Sequence, residues 1–170
     1  MKINIDAVIV VEGKEDVSYL SSFINAYFFT TNGLDINQEK LDFLSRASKL
    51  NKIIVMTDSD TAGEKIKNII KSQINGVFEV KTSGNARKNY KKHGVAESDK
   101  NEIIELLKPY TVNYEIVHID YDLVSLVSLD KNPSLKREQI IKKYRLIPGD
   151  NKYLENQLNI LKISKEELWK

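Results

Sequence analysis

Three acidic residues stand where two apolar runs of the sequence end. Glu12 follows the run Ala7 to Val11, and Asp58 and Asp60 follow the run Ile53 to Met56. Short continuous apolar runs of this kind are typical of buried parallel strands, whose carboxyl ends border the ligand crevice of an open α/β sheet. Unpaired carboxylates crowded at one edge need a divalent cation, and oxygen-only donors favour magnesium or manganese. We therefore predict a cation-binding catalytic edge.

A second interpretation of one of these acids is structural. Acidic residues after strands often cap the next helix, and Asp60 precedes a helical pattern that begins near Ala62. Asp99 stands in the same relation to a predicted helix over residues 101–108. Both capping interpretations remain open at this point.

The elements that must position the acids alternate between strand and helix. Helical spacing of apolar residues predicts helices over residues 15–27, 62–73 and 101–108. Further strands are predicted over residues 77–80 and 113–119. Alternating strands and helices favour an α/β fold with an open, mainly parallel sheet flanked by helices.

Beyond residue 120 the pattern becomes purely helical. Helices are predicted over residues 135–144 and 153–161, and Ser164 is the expected cap of a last turn. Helices this short need a partner surface, which is either the first domain or RNA. We predict a catalytic domain over residues 1–120 and a small helical C-terminal domain over residues 121–170, which either packs on the first domain or serves as an RNA-binding domain.

Composition and charge narrow the class of protein. The chain has no cysteine, which excludes disulfides and thiolate zinc sites, and it shows neither a signal peptide nor an apolar run of membrane-spanning length. We expect a soluble cytoplasmic protein. Residues 81–93 hold five basic residues and no acid, and residues 134–170 hold nine basic residues against five acids, with an acidic stretch between them. Such segregation suits a polyanionic partner.

Two motifs resemble the signatures of a known superfamily. VIVVEGKEDV at residues 8–17 and IIVMTDSDTAGEKI at residues 53–66 are similar to the glutamate and DxD motifs of Toprim proteins. Four further segments resemble the ribonuclease M5 family, which matures 5S ribosomal RNA: the TNG at residues 31–33, the GEKI at 63–66, the basic stretch with KKHGV at 91–95, and the tail at 151–168. The resemblance spans nearly the whole chain.

The resemblance implies a Toprim-type fold and an endoribonuclease that depends on magnesium, with manganese as an alternative cation. The implied reaction is cleavage of the double-stranded stem of precursor 5S ribosomal RNA. Glu12 would be the general acid/base while Asp58 and Asp60 hold the metal, with Glu12 close enough to join them as a ligand. A 5S-binding large-subunit ribosomal protein is an implied partner.

One residue departs from the family pattern. The family has a glutamate two residues after the glycine of its third motif, where this chain has Ala96, and Glu97 comes one place later. A one-residue adjustment of the backbone would let Glu97 serve as a metal ligand.

Candidate RNA contacts lie near the predicted edge. Lys14, two residues after Glu12, could reach a phosphate as a point charge. The basic stretch adds five candidates, namely Arg87, Lys88, Lys91, Lys92 and His93.

Two other functions are consistent with parts of the sequence. One is a Toprim DNA-processing nuclease, which differs in substrate but not in chemistry. The other is a non-catalytic RNA-binding factor in ribosome assembly. The complete set of three acids argues against the latter, because a pure binder gains nothing from carboxylates held against a phosphate backbone.

Overall fold

A computed structural model describes residues 1–33, 36–57, 60–83 and 94–169. The chain divides into two units, Met1–Ile116 and Val117–Lys170. In the first unit the strands are β1 (Ile3–Val11), β2 (Ile24–Thr30), β3 (Lys52–Val55), β4 (Phe78–Glu79) and β5 (Thr111–Val112). Its helices are α1 (Lys14–Ser21), α2 (Gln38–Ala47), α3 (Thr61–Gln73) and α4 (Lys100–Leu107), with short 3-10 turns at Val95–Glu97 and Lys108–Tyr110.

The sheet is built around β1. The strand order is β2-β1-β3-β4 with all neighbours parallel, and β5 pairs antiparallel with the beginning of β1. Both faces of β1 are covered, because the side chains from Ala7 to Val11 are fully buried. A strand buried on both faces reads as a continuous apolar run, which is why the sequence pattern located it. The predicted α/β class with a mainly parallel sheet is confirmed.

The predicted helix over residues 15–27 is wrong beyond Ser21. The chain turns there and returns as β2, parallel to β1 and mostly buried. Val17, Leu20 and Ile24 have helical spacing, but the run from Ile24 to Phe29 holds three aromatic residues, a type that is enriched in strands. Pairing of this segment with β1 and burial of its side chains in the core therefore outweighed the helical spacing.

The predicted strand over residues 113–119 is also wrong, and β5 lies just before it. Residues around Ile116 are extended without a strand partner. The main-chain groups of Ile116 are bound by side-chain amides instead: Asn25 Nδ2 donates to the Ile116 carbonyl at 3.0 Å, and the Ile116 N–H donates to Asn4 Oδ1 at 3.4 Å.

The second unit is helical. It consists of α5 (Leu123–Ser128), α6 (Pro133–Tyr144), α7 (Asn151–Ile160) and α8 (Lys165–Trp169). The predicted cap of the last helix is present, since the Glu167 N–H donates to Ser164 Oγ at 3.1 Å. Among the described residues, no helix is long and apolar enough to cross a bilayer.

Two buried amides of α7 bind the segments between the helices. The Gln157 side chain accepts a hydrogen bond from the Ile147 N–H at 2.7 Å and donates to the Ile147 carbonyl at 2.8 Å. Asn159 binds Ile119 in the same two-way manner, at 2.7 and 2.9 Å. Each side-chain amide makes the two hydrogen bonds that a neighbouring strand would otherwise make with that residue. It thereby satisfies the backbone N–H and carbonyl of one residue in an irregular segment.

Replacing Gln157 by Leu should destabilise the second unit by roughly 2–4 kcal/mol, because the buried N–H and carbonyl of Ile147 would both lose their partner. Hydrogen exchange at the Ile147 amide and thermal unfolding would measure the loss. Gln139→Leu, the same change at an exposed position of α6, is the matched control. Equal stability of the two variants would refute the role given to Gln157.

Candidate active site

Glu12 is held at the carboxyl edge of the sheet by the strands beside it. It directly follows β1, and its carbonyl accepts a hydrogen bond from the Asn32 N–H at 2.9 Å, just after β2. Glu12 is half-buried. The sheet therefore fixes the backbone from which the glutamate side chain extends.

The residues after Glu12 begin helix α1. Gly13 is the N-cap residue, and its N–H donates to the buried carboxylate of Asp16 at 3.0 Å. Lys14 is the first residue of the helix and is exposed. Contact of Lys14 with a phosphate stays a prediction.

Asp60 lies after β3, at the same edge, and caps helix α3. Its Oδ1 accepts a hydrogen bond from the Gly63 N–H at 2.8 Å. The buried Thr57 hydroxyl donates to the Gly63 carbonyl at 3.2 Å and ties the preceding loop to the same turn. The capping interpretation of Asp60 is thus confirmed. Among the described residues, this cap is made through one carboxylate oxygen, Oδ1.

Glu12 and Asp60 lie at the same edge of the sheet because the strands that they follow, β1 and β3, are adjacent and parallel. Val10 lies opposite Val55, and the Met56 N–H donates to the Val10 carbonyl at 2.9 Å. Glu12 and Asp60 therefore leave neighbouring strands at the same end. Asp58, the third predicted acid, lies outside the described residues, and within the described ranges no group of three acidic or histidine side chains is arranged to hold a metal ion.

Glu97 has a structural role in its own turn. One of its oxygens accepts a hydrogen bond from the Gly94 N–H at 3.1 Å, which closes the 3-10 turn Val95–Glu97. The turn is joined to α1, the helix that begins just after Glu12, because the Tyr19 hydroxyl of α1 donates to the Ser98 carbonyl at 2.7 Å. Metal binding by Glu97 stays a prediction. Asp99 caps α4, with Oδ1 accepting from the N–H groups of Asn101 and Glu102.

An ion-pair network joins α3 to the end of the sheet. The buried ammonium of Lys67 lies 2.5 Å from Glu64 and 2.8 Å from Glu79, and Lys81 lies 2.7 Å from Glu64. Hydrogen bonding from Lys67 lowers the pKa of Glu79 to about 2, and hydrogen bonding to Glu64 raises the pKa of Lys81. These charges are satisfied within the protein, so Lys81 is already paired at the start of the basic stretch.

The predicted RNA contacts in the basic stretch, Arg87, Lys88, Lys91, Lys92 and His93, lie outside the described residues. The structure does describe the first three residues of the stretch and the residues that follow it. The Ser83 N–H, within these first three residues, donates to the Glu102 carboxylate of α4, and the buried residues Gly94, Val95 and Ser98 follow the stretch. Both ends are therefore attached to the first unit.

Sequence reasoning missed the role of Lys40 beside this edge. Lys40 lies in the first turn of α2, and its ammonium donates to the Thr31 carbonyl at 2.5 Å, next to the backbone of Glu12. A lysine inside an amphipathic helix gives no local signal of such a contact. It depends on how α2 packs against the end of β2.

Comparison with known proteins agrees with this geometry. The Toprim domain family model matches residues 7–91. The chain is similar to a small TOPRIM domain protein from Bacillus stearothermophilus with a TM-score of 0.52 and 20% identity, covering 62% of this chain and 88% of that one. That likeness concerns the fold.

Relatives named ribonuclease M5 match nearly the full length. The chain is 31% identical to the protein from Borreliella burgdorferi, over 96% of this chain and 91% of the relative. It is 30% identical to that of Staphylococcus aureus, over 94% and 91%, and 29% identical to that of Mycoplasma genitalium, over 99% and 96%. With a Toprim domain at its amino-terminal end and this similarity along its whole length, the chain belongs to the ribonuclease M5 family of Toprim proteins.

Proposed function

We propose that this protein is a metal-dependent endoribonuclease that cleaves the double-stranded stem of precursor 5S ribosomal RNA to give mature 5S ribosomal RNA. The observation that carries the proposal is the placement of Glu12 and Asp60 at the carboxyl ends of adjacent parallel strands, in a chain of the ribonuclease M5 family. Its full-length relatives are named as ribonucleases. The bacterial cytoplasm is the compartment in which such a substrate is made.

The donor set suits a hard divalent cation. Toprim domains generally bind divalent metal ions, and the side chains offered here are carboxylates, the ligands that Mg²⁺ prefers and that Mn²⁺ also accepts. We assign Asp58 and the second oxygen of Asp60 as principal ligands, with Glu12 and Glu97 as further candidates. The bound cation would supply a Lewis acid that offsets the charge developing on the scissile phosphate.

The chain's own residues supply proton transfer and positioning. Glu12 acts as the general acid/base, exchanging a proton with an oxygen atom at the scissile phosphate. The hydrogen bond from the Asn32 N–H to the Glu12 carbonyl and the attachment of α1 through Tyr19 hold Glu12 in place. The cap made by Asp60 fixes the direction of its carboxylate. No covalent intermediate with the protein is required.

Binding of the RNA is assigned to cations around the edge and in the tail. Lys14 and the basic stretch with Arg87, Lys88, Lys91, Lys92 and His93 would contact phosphates near the carboxylates. The helical region over residues 121–170 would bind the body of the RNA, and a 5S-binding large-subunit ribosomal protein would hold the RNA in shape for cleavage. Phosphate contacts position the substrate without specifying its sequence.

Replacing Arg87 and Lys91 together by Ala should weaken binding to duplex RNA of any sequence. The slope of log affinity against log salt should fall by about one to two units, because each lost phosphate contact removes nearly one. The cut position should not change.

A salt titration of RNA binding tests this prediction. Lys49→Ala with Lys52→Ala is the matched control, since both lysines are exposed and Lys52 begins β3 at the opposite edge of the sheet. A slope equal to that of the wild type in the Arg87 and Lys91 variant would remove the basic stretch from the RNA interface.

A further inference from the structure

The turn at Thr31, Asn32 and Gly33 is joined to the backbone of the proposed catalytic glutamate. It follows β2 directly, with the Thr31 N–H donating to the Val11 carbonyl at 3.0 Å and the Asn32 N–H donating to the Glu12 carbonyl at 2.9 Å. Lys40 holds the turn from the other side through the Thr31 carbonyl. The turn thus lies at the edge where Glu12 and Asp60 emerge.

Asn32 has a backbone conformation that glycine would adopt at lower cost. Its φ is +56°, and Gly33 follows with φ +91°. The Asn32 side chain is exposed, and in the described structure its carboxamide makes no hydrogen bond. Asn and Gly commonly form left-handed turns, so the pair alone is explained by turn chemistry. In the described part of the chain, however, no other residue uses the carboxamide.

Thr31 is also a residue that stabilises the turn less than an apolar residue of the same shape would. Its side chain is fully buried, and among the described residues its hydroxyl has no hydrogen-bond partner. A buried polar group without a partner destabilises the fold, whereas valine has the same shape and lacks that cost. Turn chemistry does not account for this residue, because the hydroxyl contributes nothing to the turn.

We propose that this turn is a substrate-contacting part of the active site, with Asn32 hydrogen-bonded to the sugar–phosphate backbone of the RNA beside Glu12. Thr31 is a positioning residue, whose hydroxyl gains its partner only when the site is loaded with RNA and the cation. Local departures from stability that cluster at one place are typical of functional sites. The inference rests on the proposed ribonuclease function.

The first test is Asn32→Gly, which is compatible with the left-handed backbone and removes the side chain with its carboxamide. We expect unchanged or higher thermal stability, with kcat/KM for cleavage of a 5S precursor lowered at least tenfold. Asn75→Gly is the matched control, because Asn75 is also exposed and also precedes a left-handed glycine, Gly76, but lies before β4 at the opposite edge. It should cleave like the wild type.

The second test separates positioning from packing at Thr31. Thr31→Val should raise the unfolding temperature and lower kcat at least tenfold with little change in KM, and Thr31→Ser, which keeps the hydroxyl, should restore most of kcat. Wild-type cleavage by both Asn32→Gly and Thr31→Val would overturn the inference while leaving the proposed function intact. A wild-type protein that does not cleave the RNA would refute the proposed function instead.

Discussion

Replacing Glu12 by Gln is expected to lower the rate constant of RNA cleavage by roughly 10²–10⁴-fold, the contribution typical of a general acid/base. The amide keeps the size of the side chain and its place after β1, but it neither accepts nor gives a proton at the scissile phosphate. Binding of the RNA should be retained or strengthened, since a negative charge beside the phosphate backbone has been removed. Single-turnover cleavage with a parallel binding titration measures both.

Glu15→Gln is the matched control for this experiment. Glu15 lies three residues further along, is exposed in the first turn of α1, and undergoes the same loss of charge. It should cleave at the wild-type rate. If Glu12→Gln and Glu15→Gln cleaved equally fast, Glu12 would have to be removed from the chemistry.

The second large effect is expected at Asp60, where capping and cation binding are separable. Asn and Ser both cap helices well, so Asp60→Asn and Asp60→Ser should retain the bond to the Gly63 N–H and most of the stability of α3. Both remove the charged oxygen proposed to bind the cation. We expect cleavage to fall by at least about 10²-fold. Residues that only hydrogen-bond to a metal ligand already contribute up to about that much, and loss of a direct ligand should cost more.

Partial recovery at raised Mg²⁺ or Mn²⁺ concentration would support a weakened cation site in the Asp60 variants. Asp150→Asn is the matched control, because Asp150 caps α7 through the Tyr153 N–H at 2.8 Å and lies in the second unit. Full cleavage by Asp60→Asn at ordinary Mg²⁺ concentration would show that Asp60 is a helix cap and nothing more.

The sequence predicted the parts of the site that depend on short-range pattern. Glu12 follows an apolar run that became β1, and Asp60 precedes a helix whose cap it provides, so both were located from their neighbours alone. The sequence also showed that Asp60 could either cap a helix or bind a cation, and in the part of the chain that the structure describes the cap is made through Oδ1.

What the sequence could not predict depends on contacts between distant segments. The change from α1 to β2 near Ser22 is decided by burial against β1, not by local spacing. The amide of Asn159 binds Ile119 forty residues away, and Lys40 reaches the end of β2 from another helix. Such side-chain contacts with irregular backbone leave no periodic signal in the sequence.

The measurement that tests the central claim most directly is cleavage of an end-labelled 5S ribosomal RNA precursor by the wild-type protein. Duplex DNA of the same sequence is run in parallel, and each reaction is carried out with Mg²⁺ and with EDTA. We expect Mg²⁺-dependent cuts in the double-stranded stem of the precursor, product ends that match mature 5S ribosomal RNA, and no cleavage of the DNA. Cleavage of the duplex DNA with the precursor left intact would contradict the account and indicate a DNA-processing nuclease.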